Sequence, residues 1–244
     1  MNKDEETMAI NRTGIQGVPS RTKDLLESLS DAEPSSAGDA DLMAAERNTY
    51  VGAGLAVGHP PPAPAKEAND PAADVRNVLA VGVLVDKLGE RLAFERSGVR
   101  LYDALIAKLD ASGKLEGGPS RDELVDIRDD EQRHFKMVQK AIETLGGDPT
   151  VVTPSADLAA VKAMGLPQVL TDPRTTLAQG LEAILVAELV DNDGWTLLIT
   201  LTEKLGYKVA AKQFREALQS EEEHLAKVRG WVERLTMNPA ALLS

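Results

Sequence analysis

Residues 120–145, SRDELVDIRDDEQRHFKMVQKAIETL, and residues 214–231, FREALQSEEEHLAKVRGW, decide how the chain is read. In each, apolar residues recur three and four apart, the spacing that keeps side chains on one face of an α-helix. Leu124, Ile127, Val138, Ala141 and Leu145 form the first stripe, and Phe214, Leu218, Val228 and Trp231 the second. Both stripes are interrupted, where leucine would be expected, by Glu-x-x-His: Glu131 with His134, and Glu221 with His224. A carboxylate and an imidazole three residues apart lie one above the other and reach one point in a core. A single such pair is readily a surface ion pair. Two of them, using two of the only three histidines, are poorly explained by chance.

Two further segments share the pattern. From Val78 to Gly113, the residues Leu88, Leu92, Glu95, Val99, Tyr102, Leu105 and Leu109 form one stripe. A later segment, with Asp172 predicted as N-cap and Pro173 as first helical residue, places Leu177, Leu181, Ile184, Glu188, Asp191, Trp195 and Leu198 on one face and stops at Gly206. Ser120 and Glu123 make a capping box for the second helix, which ends at Gly146, and the fourth runs from about Lys208 to Leu235.

The connections alternate short, long, short. Short links make antiparallel neighbours, and a long one, here with a helical piece expected over Ser155 to Met164, can run the length of a bundle. The predicted fold is all-α: an antiparallel four-helix bundle over residues 77–237 with one long crossover between helices two and three. Residues 1–76 are rich in Ala, Gly, Pro, Ser, Asp and Glu, and His59 heads a proline run. Such a stretch buries too little apolar surface to offset its ordering entropy, so a largely disordered extension is expected, with a short amphipathic piece over Asp24 to Ser30. Gly52, Gly54 and Gly58 echo a dinucleotide-binding loop but lack a preceding strand. Residues 238–244 are read as a short tail.

Four-helix di-metal sites take one Glu from each of two helices and Glu-x-x-His from each of the others. Glu95 and Glu188 fit the first role. Each lies on its helix's apolar stripe and precedes a Glu-x-x-His helix at a similar spacing, and Tyr102 stands seven residues after Glu95 as Trp195 does after Glu188. Helices one and two therefore read as a copy of helices three and four. Four buried carboxylates would be prohibitive if charged and unpaired, and cations resolve this. The hard oxygen and nitrogen set of Glu95, Glu131, His134, Glu188, Glu221 and His224 suits two ions of iron, with manganese as the other candidate. Zinc fits such donors but performs no redox chemistry.

On these residues the chain resembles the ferritin-like superfamily, particularly bacterioferritins and rubrerythrins, over about residues 78 to 236. The resemblance implies that the six residues ligate two irons, with Glu131 and Glu221 bridging. It implies too that Tyr102 sits beside the site and bonds a ligand or supplies an electron. Asp191, one turn after Glu188, stands where rubrerythrins have a Glu that is an additional ligand. Asp191 is shorter by one methylene, and reads either as a further ligand or as the partner that orients His134 or His224 through the free ring N–H. Asp130 is read as a solvent-facing charge, Trp195 as packing, and Phe94 and Phe135 as pointing off the stripe.

Composition bounds the rest. A net charge of -12 leaves no basic stripe for nucleic acid. The run from Val78 to Val85 is far short of the roughly 20 residues that span a bilayer. With no cysteine there are no disulfides, thiolates or rubredoxin-type irons, and nothing at the start resembles a signal peptide, which fits a cytoplasmic protein. The leading expectation is a di-iron oxidoreductase of the ferroxidase or peroxidase kind, acting with dioxygen or peroxide in iron handling or oxidative-stress defence. It would take electrons from an external reductant. Too few residues follow Leu235 for the fifth helix of storage cages, so a homodimer is expected, with the N-terminal extension free to dock a partner. The alternative is a non-catalytic metal-binding or stress-structural protein on the same bundle.

Overall fold

The structure is a computed structural model that describes residue 27 and residues 40–53, 71–113 and 115–238. Among these residues there is no strand. The chain divides into two units, Met1–Leu55 and Ala56–Ser244. The described part of the first is Glu27, which is helical, and a helix, α1, Ala40–Ala53. This helix falls in the segment expected to be disordered. Its sequence, ADLMAAERNTYVGA, is dense in Ala, Leu, Met, Glu and Arg, whose intrinsic helix propensity is high even without an apolar face to bury. Gly52 of the glycine echo lies inside it. Gly54, Gly58, the proline run, the rest of Asp24 to Ser30 and Pro239 to Ser244 lie outside the described residues.

The second unit contains α2 (Pro71–Ser112), α3 (Arg121–Thr144), α4 (Pro154–Lys162), α5 (Gly165–Thr171), α6 (Leu177–Lys204) and α7 (Lys208–Met237). The start of α2 precedes both Val78 and the boundary expected at residue 77; Pro71 opens it, where proline's missing N–H costs nothing. Ser120 and Glu123 form the expected reciprocal cap of α3. The cap of α6 is not Asp172. Thr176 and Gln179 form the box there, while the Asp172 carboxylate accepts from the Arg174 N–H at 2.8 Å, turning the chain locally. Gly146 and Gly206, at φ of 79° and 80°, close α3 and α6 in the left-handed conformation that a Cβ disfavours.

α2 packs on α3 and α6, α6 on α7, and α3 on α7. Two apolar clusters fill the interior. One holds Leu101, Leu105, Leu109, Leu124, Ile127, Leu181, Ile184, Val228 and Trp231; the other holds Leu84, Leu88, Leu92, Val138, Ile142, Trp195, Leu198 and Phe214. Along α2 and α7 the chain passes from the second cluster to the first, and along α3 and α6 from the first to the second. The acids and histidines of all four helices fall between the clusters. Three predicted stripe positions are displaced by one residue: Gly98, Ile142 and Ala217 are buried, whereas Val99, Ala141 and Leu218 are half-buried. α2 in particular is covered on several sides, because the crossover helices α4 and α5 pack on it as well.

The crossover is pinned at both ends. Asp86 of α2 accepts from the Ser155 N–H at 2.9 Å and the Ser155 hydroxyl at 2.5 Å, while the Thr153 hydroxyl donates to the Asp86 carbonyl at 3.1 Å. At its far end Lys108 Nζ donates to the carbonyls of Asp172 at 3.0 Å and Thr175 at 2.8 Å. Asp86→Ala removes two buried bonds to a carboxylate and leaves their donors unpaired. Urea unfolding is expected to show a loss of about 2–3 kcal/mol, with metal binding retained; an unchanged midpoint would contradict the pinning.

Candidate metal centre

Seven ionisable side chains meet between the apolar clusters. Glu95 comes from α2, Glu131 and His134 from α3, Glu188 and Asp191 from α6, and Glu221 and His224 from α7; all are buried, Glu95 and Glu221 completely. Their donor atoms form two triads within which every atom lies within 4.8 Å of the others. One is Glu95, His134 and Glu221; the other is Glu131, Glu188 and His224. A third group joins Asp191 to Glu95, Glu131 and Glu221. All six residues expected as ligands are thus brought together.

Glu221 links the triads. Its Oε1 lies 2.6 Å from His134 Nδ1 and its Oε2 lies 3.0 Å from His224 Nδ1. The opposite nitrogen of His224, Nε2, lies 3.1 Å from Asp130 Oδ2. A proton on Nε2, shared with Asp130, leaves the Nδ1 lone pair facing a carboxylate oxygen, an arrangement that needs a proton or a cation between them. Tyr102 is buried as expected and donates a short hydrogen bond to Glu188 Oε1. Asn192 donates to the carbonyls of Glu188 at 3.0 Å and Glu221 at 3.1 Å, tying α6 to α7 behind the ligands.

Three participants escaped the sequence reading. Asp130 is not a solvated charge: it is four-fifths buried, pairs with Arg133 on one oxygen and with His224 on the other. It takes the orienting role for which Asp191 was one candidate. Asp191 instead pairs with the second missed residue, Arg91, at 2.5 Å. Arg91 Nε also stands 2.9 Å from Glu95 Oε1, and its guanidinium lies over the ring of Phe94 at 4.4 Å, which gives that half-buried ring a packing role. The available signal was its place four residues before Glu95 on the stripe. Trp195 is fully buried, with its ring edge-on to His134 at 5.6 Å.

The third is Gly98. A Cβ there would meet the Glu131 carboxylate, with Cδ at 2.8 Å and Oε2 nearer still. Gly98→Ala therefore has to push Glu131 out of its triad. Metal affinity is expected to fall at least tenfold, on the order of a displaced ligand, with helical circular dichroism unchanged. Wild-type affinity in this variant would remove Gly98 from the site.

Electrostatics explain why such a cluster needs a counter-charge. Burial first, and then repulsion from neighbouring acids, pushes Glu95, Glu131 and Glu221 well above the ordinary carboxylate range. Glu188 is raised to about 8 by burial and then Asp191, against the lowering effect of the Tyr102 hydrogen bond. Burial lowers His134 to about 3 and His224 to about 4, so both imidazoles are neutral. Tyr102 is raised by burial and the nearby carboxylates and stays a donor. Burial opposes the charge on Arg91, but Asp191, Glu95, Glu221 and Glu131 carry its pKa upward, so it remains a fixed cation.

No family model, curated protein or solved structure matches the chain. The chemistry of the site therefore rests on its own donors. Oε2 of Glu131 and Oε2 of Glu188 are buried without a hydrogen-bond partner, Glu95 meets Arg91 at 2.9 Å and His134 at 3.8 Å, and Oε1 of Glu221 faces the Nδ1 of a neutral imidazole at 2.6 Å. Buried lone pairs left this way are costly, and cations placed within each triad would satisfy them. Neutral imidazoles and carboxylates converging at ligand distance fit metal ions. Among the described residues no helix is long and apolar enough to cross a membrane.

Proposed function

We propose that residues 77–237 form a ferritin-like antiparallel four-helix bundle holding two ions of iron, or of manganese, and acting as a ferroxidase- or peroxidase-like oxidoreductase. The observation that carries the reading is the pair of buried triads, each with two carboxylates and one neutral imidazole, joined through Glu221. Iron bound there would supply electrons to dioxygen or hydrogen peroxide. The function that follows is oxidation of Fe(II), or removal of peroxide, in iron handling or oxidative-stress defence.

The protein's own groups have defined parts in this scheme. Tyr102 orients Glu188 and holds a proton at its phenol oxygen beside the site. Asp130 fixes the tautomer of His224, so that Nδ1 faces inward. The apolar clusters above and below exclude water, which strengthens every charge interaction between them. Protons displaced from the raised carboxyls leave when a cation enters.

The test is anaerobic addition of Fe(II) to chelated protein, followed by oxygen or peroxide. About two irons per chain and a near-ultraviolet absorption that bleaches on reduction and returns with oxidant are expected. Fewer than two irons, or iron that neither oxidant changes, would exclude the proposal. The rival, a non-catalytic metal-binding or structural protein, draws on the Arg91 ion pairs, which already offset part of the acid charge. It predicts bound metal that neither oxidant changes or, if the protein holds no metal, colourless protein whose melting temperature does not move on chelation.

A further inference from the structure

Four of the differences between the repeated halves of the site set their surroundings apart, and they fall on different triads. Four residues before Glu95 stands Arg91, where the other half has Ile184 before Glu188. Three residues after Glu95 stands Gly98, where the other half has Asp191. Tyr102 corresponds to Trp195, and Asp130, before Glu131, corresponds to Ser220, before Glu221. In space, Arg91 and Trp195 border the Glu95, His134 and Glu221 triad, through Glu95 Oε1 and the His134 ring. Tyr102 and Asp130 border the Glu131, Glu188 and His224 triad, through Glu188 and His224.

These neighbours treat an incoming cation differently. Arg91 is a buried, permanent positive charge already engaging one oxygen of Glu95 at 2.9 Å, so it both repels an incoming cation and competes for a ligand atom. The bond to Asp191 at 2.5 Å, with a second from Nη1 to the Asp191 carbonyl at 3.0 Å, holds it in that place. Gly194 lets it lie there, since a Cβ at that position would stand 2.5 Å from Nη1. On the other triad no ion pair between a ligand oxygen and a guanidinium occurs among the described residues: Asp130, whose second oxygen pairs with Arg133, bonds His224 from behind, and the Tyr102 bond holds Glu188 in place.

We infer that the two metal positions fill in order: the Glu131, Glu188 and His224 position first and tightly, and the Glu95, His134 and Glu221 position second and exchangeably, because Arg91 occupies its edge. This rests on the two-metal reading and sharpens it: one ion is resident, and the other position takes up and releases metal. Arg91 is here a positioning residue, acting on the metal through Glu95. For a protein that handles iron, the exchangeable position is where substrate metal enters.

The full chain with Trp231→Phe keeps Trp195 as its one remaining tryptophan, bordering His134. Titrating this chelated protein with cobalt(II) is expected to leave Trp195 emission nearly unchanged during the first equivalent and to quench it during the second. The two dissociation constants should differ at least tenfold, and a chelator should remove one equivalent well before the other. Arg91→Gln with Asp191→Asn removes the cation and its partner together. The gap should then narrow at least tenfold, and quenching should begin with the first equivalent, with circular dichroism unchanged. Two cobalt ions bound without order, or an undiminished gap in the double variant, overturns this inference and leaves the two-metal reading standing. Fewer than two ions bound overturns both. Should the double variant fail to fold, the order of filling in the Trp231→Phe chain decides alone.

Discussion

Glu221→Gln is expected to take the metal content from about two ions per chain to below one. Glu221 is the side chain that faces both imidazoles, with Oε1 at 2.6 Å from His134 and Oε2 at 3.0 Å from His224, so its loss breaks both triads at once. The amide keeps the volume and one carbonyl oxygen but turns an acceptor into a donor aimed at a cation. An affinity loss of at least about 100-fold, or roughly 2.7 kcal/mol, is expected at each position. The same substitution acts the other way on metal-free protein. Burial and neighbouring acids oppose ionisation of Glu221, and the amide carries no charge to ionise. Metal-free Glu221→Gln should therefore melt at or above the wild-type temperature, while the stabilisation that metal gives the wild type is lost. Retention of two tightly bound ions would refute the linking role of Glu221. A melting temperature well below that of metal-free wild type would show that its carboxyl is a structural hydrogen-bonding group instead.

Metal-free and metal-loaded protein should respond to pH with opposite signs. In the unfolded chain a glutamate releases its proton near pH 4.5, but in the folded chain Glu188 holds it to about 8, and Glu95, Glu131 and Glu221 are also raised. Between those values the folded state binds more protons than the unfolded one, so stability falls as pH rises. The histidines oppose this at lower pH. With folded values of about 3 and about 4 against 6.5, they stay neutral while the unfolded chain takes up protons, which makes stability rise up to about pH 6.5. Above pH 6.5 only the carboxyls contribute, and Glu188 alone should cost about 2 kcal/mol between pH 6.5 and 8 at 1.36 kcal/mol per unit. Metal reverses the trend, since its ligands must be deprotonated and its affinity grows as protons become scarce. Urea unfolding of chelated and loaded protein at pH 6.5 and 8 measures both slopes; parallel slopes would contradict the acids' role as ligands.

Much of this was legible in the chain because helices write their inward faces in local spacing. Glu131 and His134, or Glu221 and His224, need only the geometry of one helix to share a point, and the apolar residues around them say that the point is buried. The duplication extended that reading to Glu95 and Glu188, whose helices carry no histidine. The stripe placed Tyr102 in the core, and its position beside the site was what the family resemblance implied.

Other features depend on which helix faces which. Asp172 satisfied the pattern of an N-cap, yet Thr176 took the position, because a cap is chosen by the turn that the preceding segment makes. Asp130 looked solvated beside the charged run of α3, and only the approach of α7 brings His224 against it. Arg91 stands on the stripe four residues before Glu95, but only the approach of α6 encloses it with Asp191 and Trp195. The two Glu-x-x-His motifs and their partner acids are thus determined by the sequence alone, since each is a relation within one helix or between two copies of one unit. The inequality of the two triads, set by Arg91 on one and Asp130 on the other, was decided by tertiary structure. It arises from contacts between helices, and no spacing along a single helix encodes the charge that its neighbour will present.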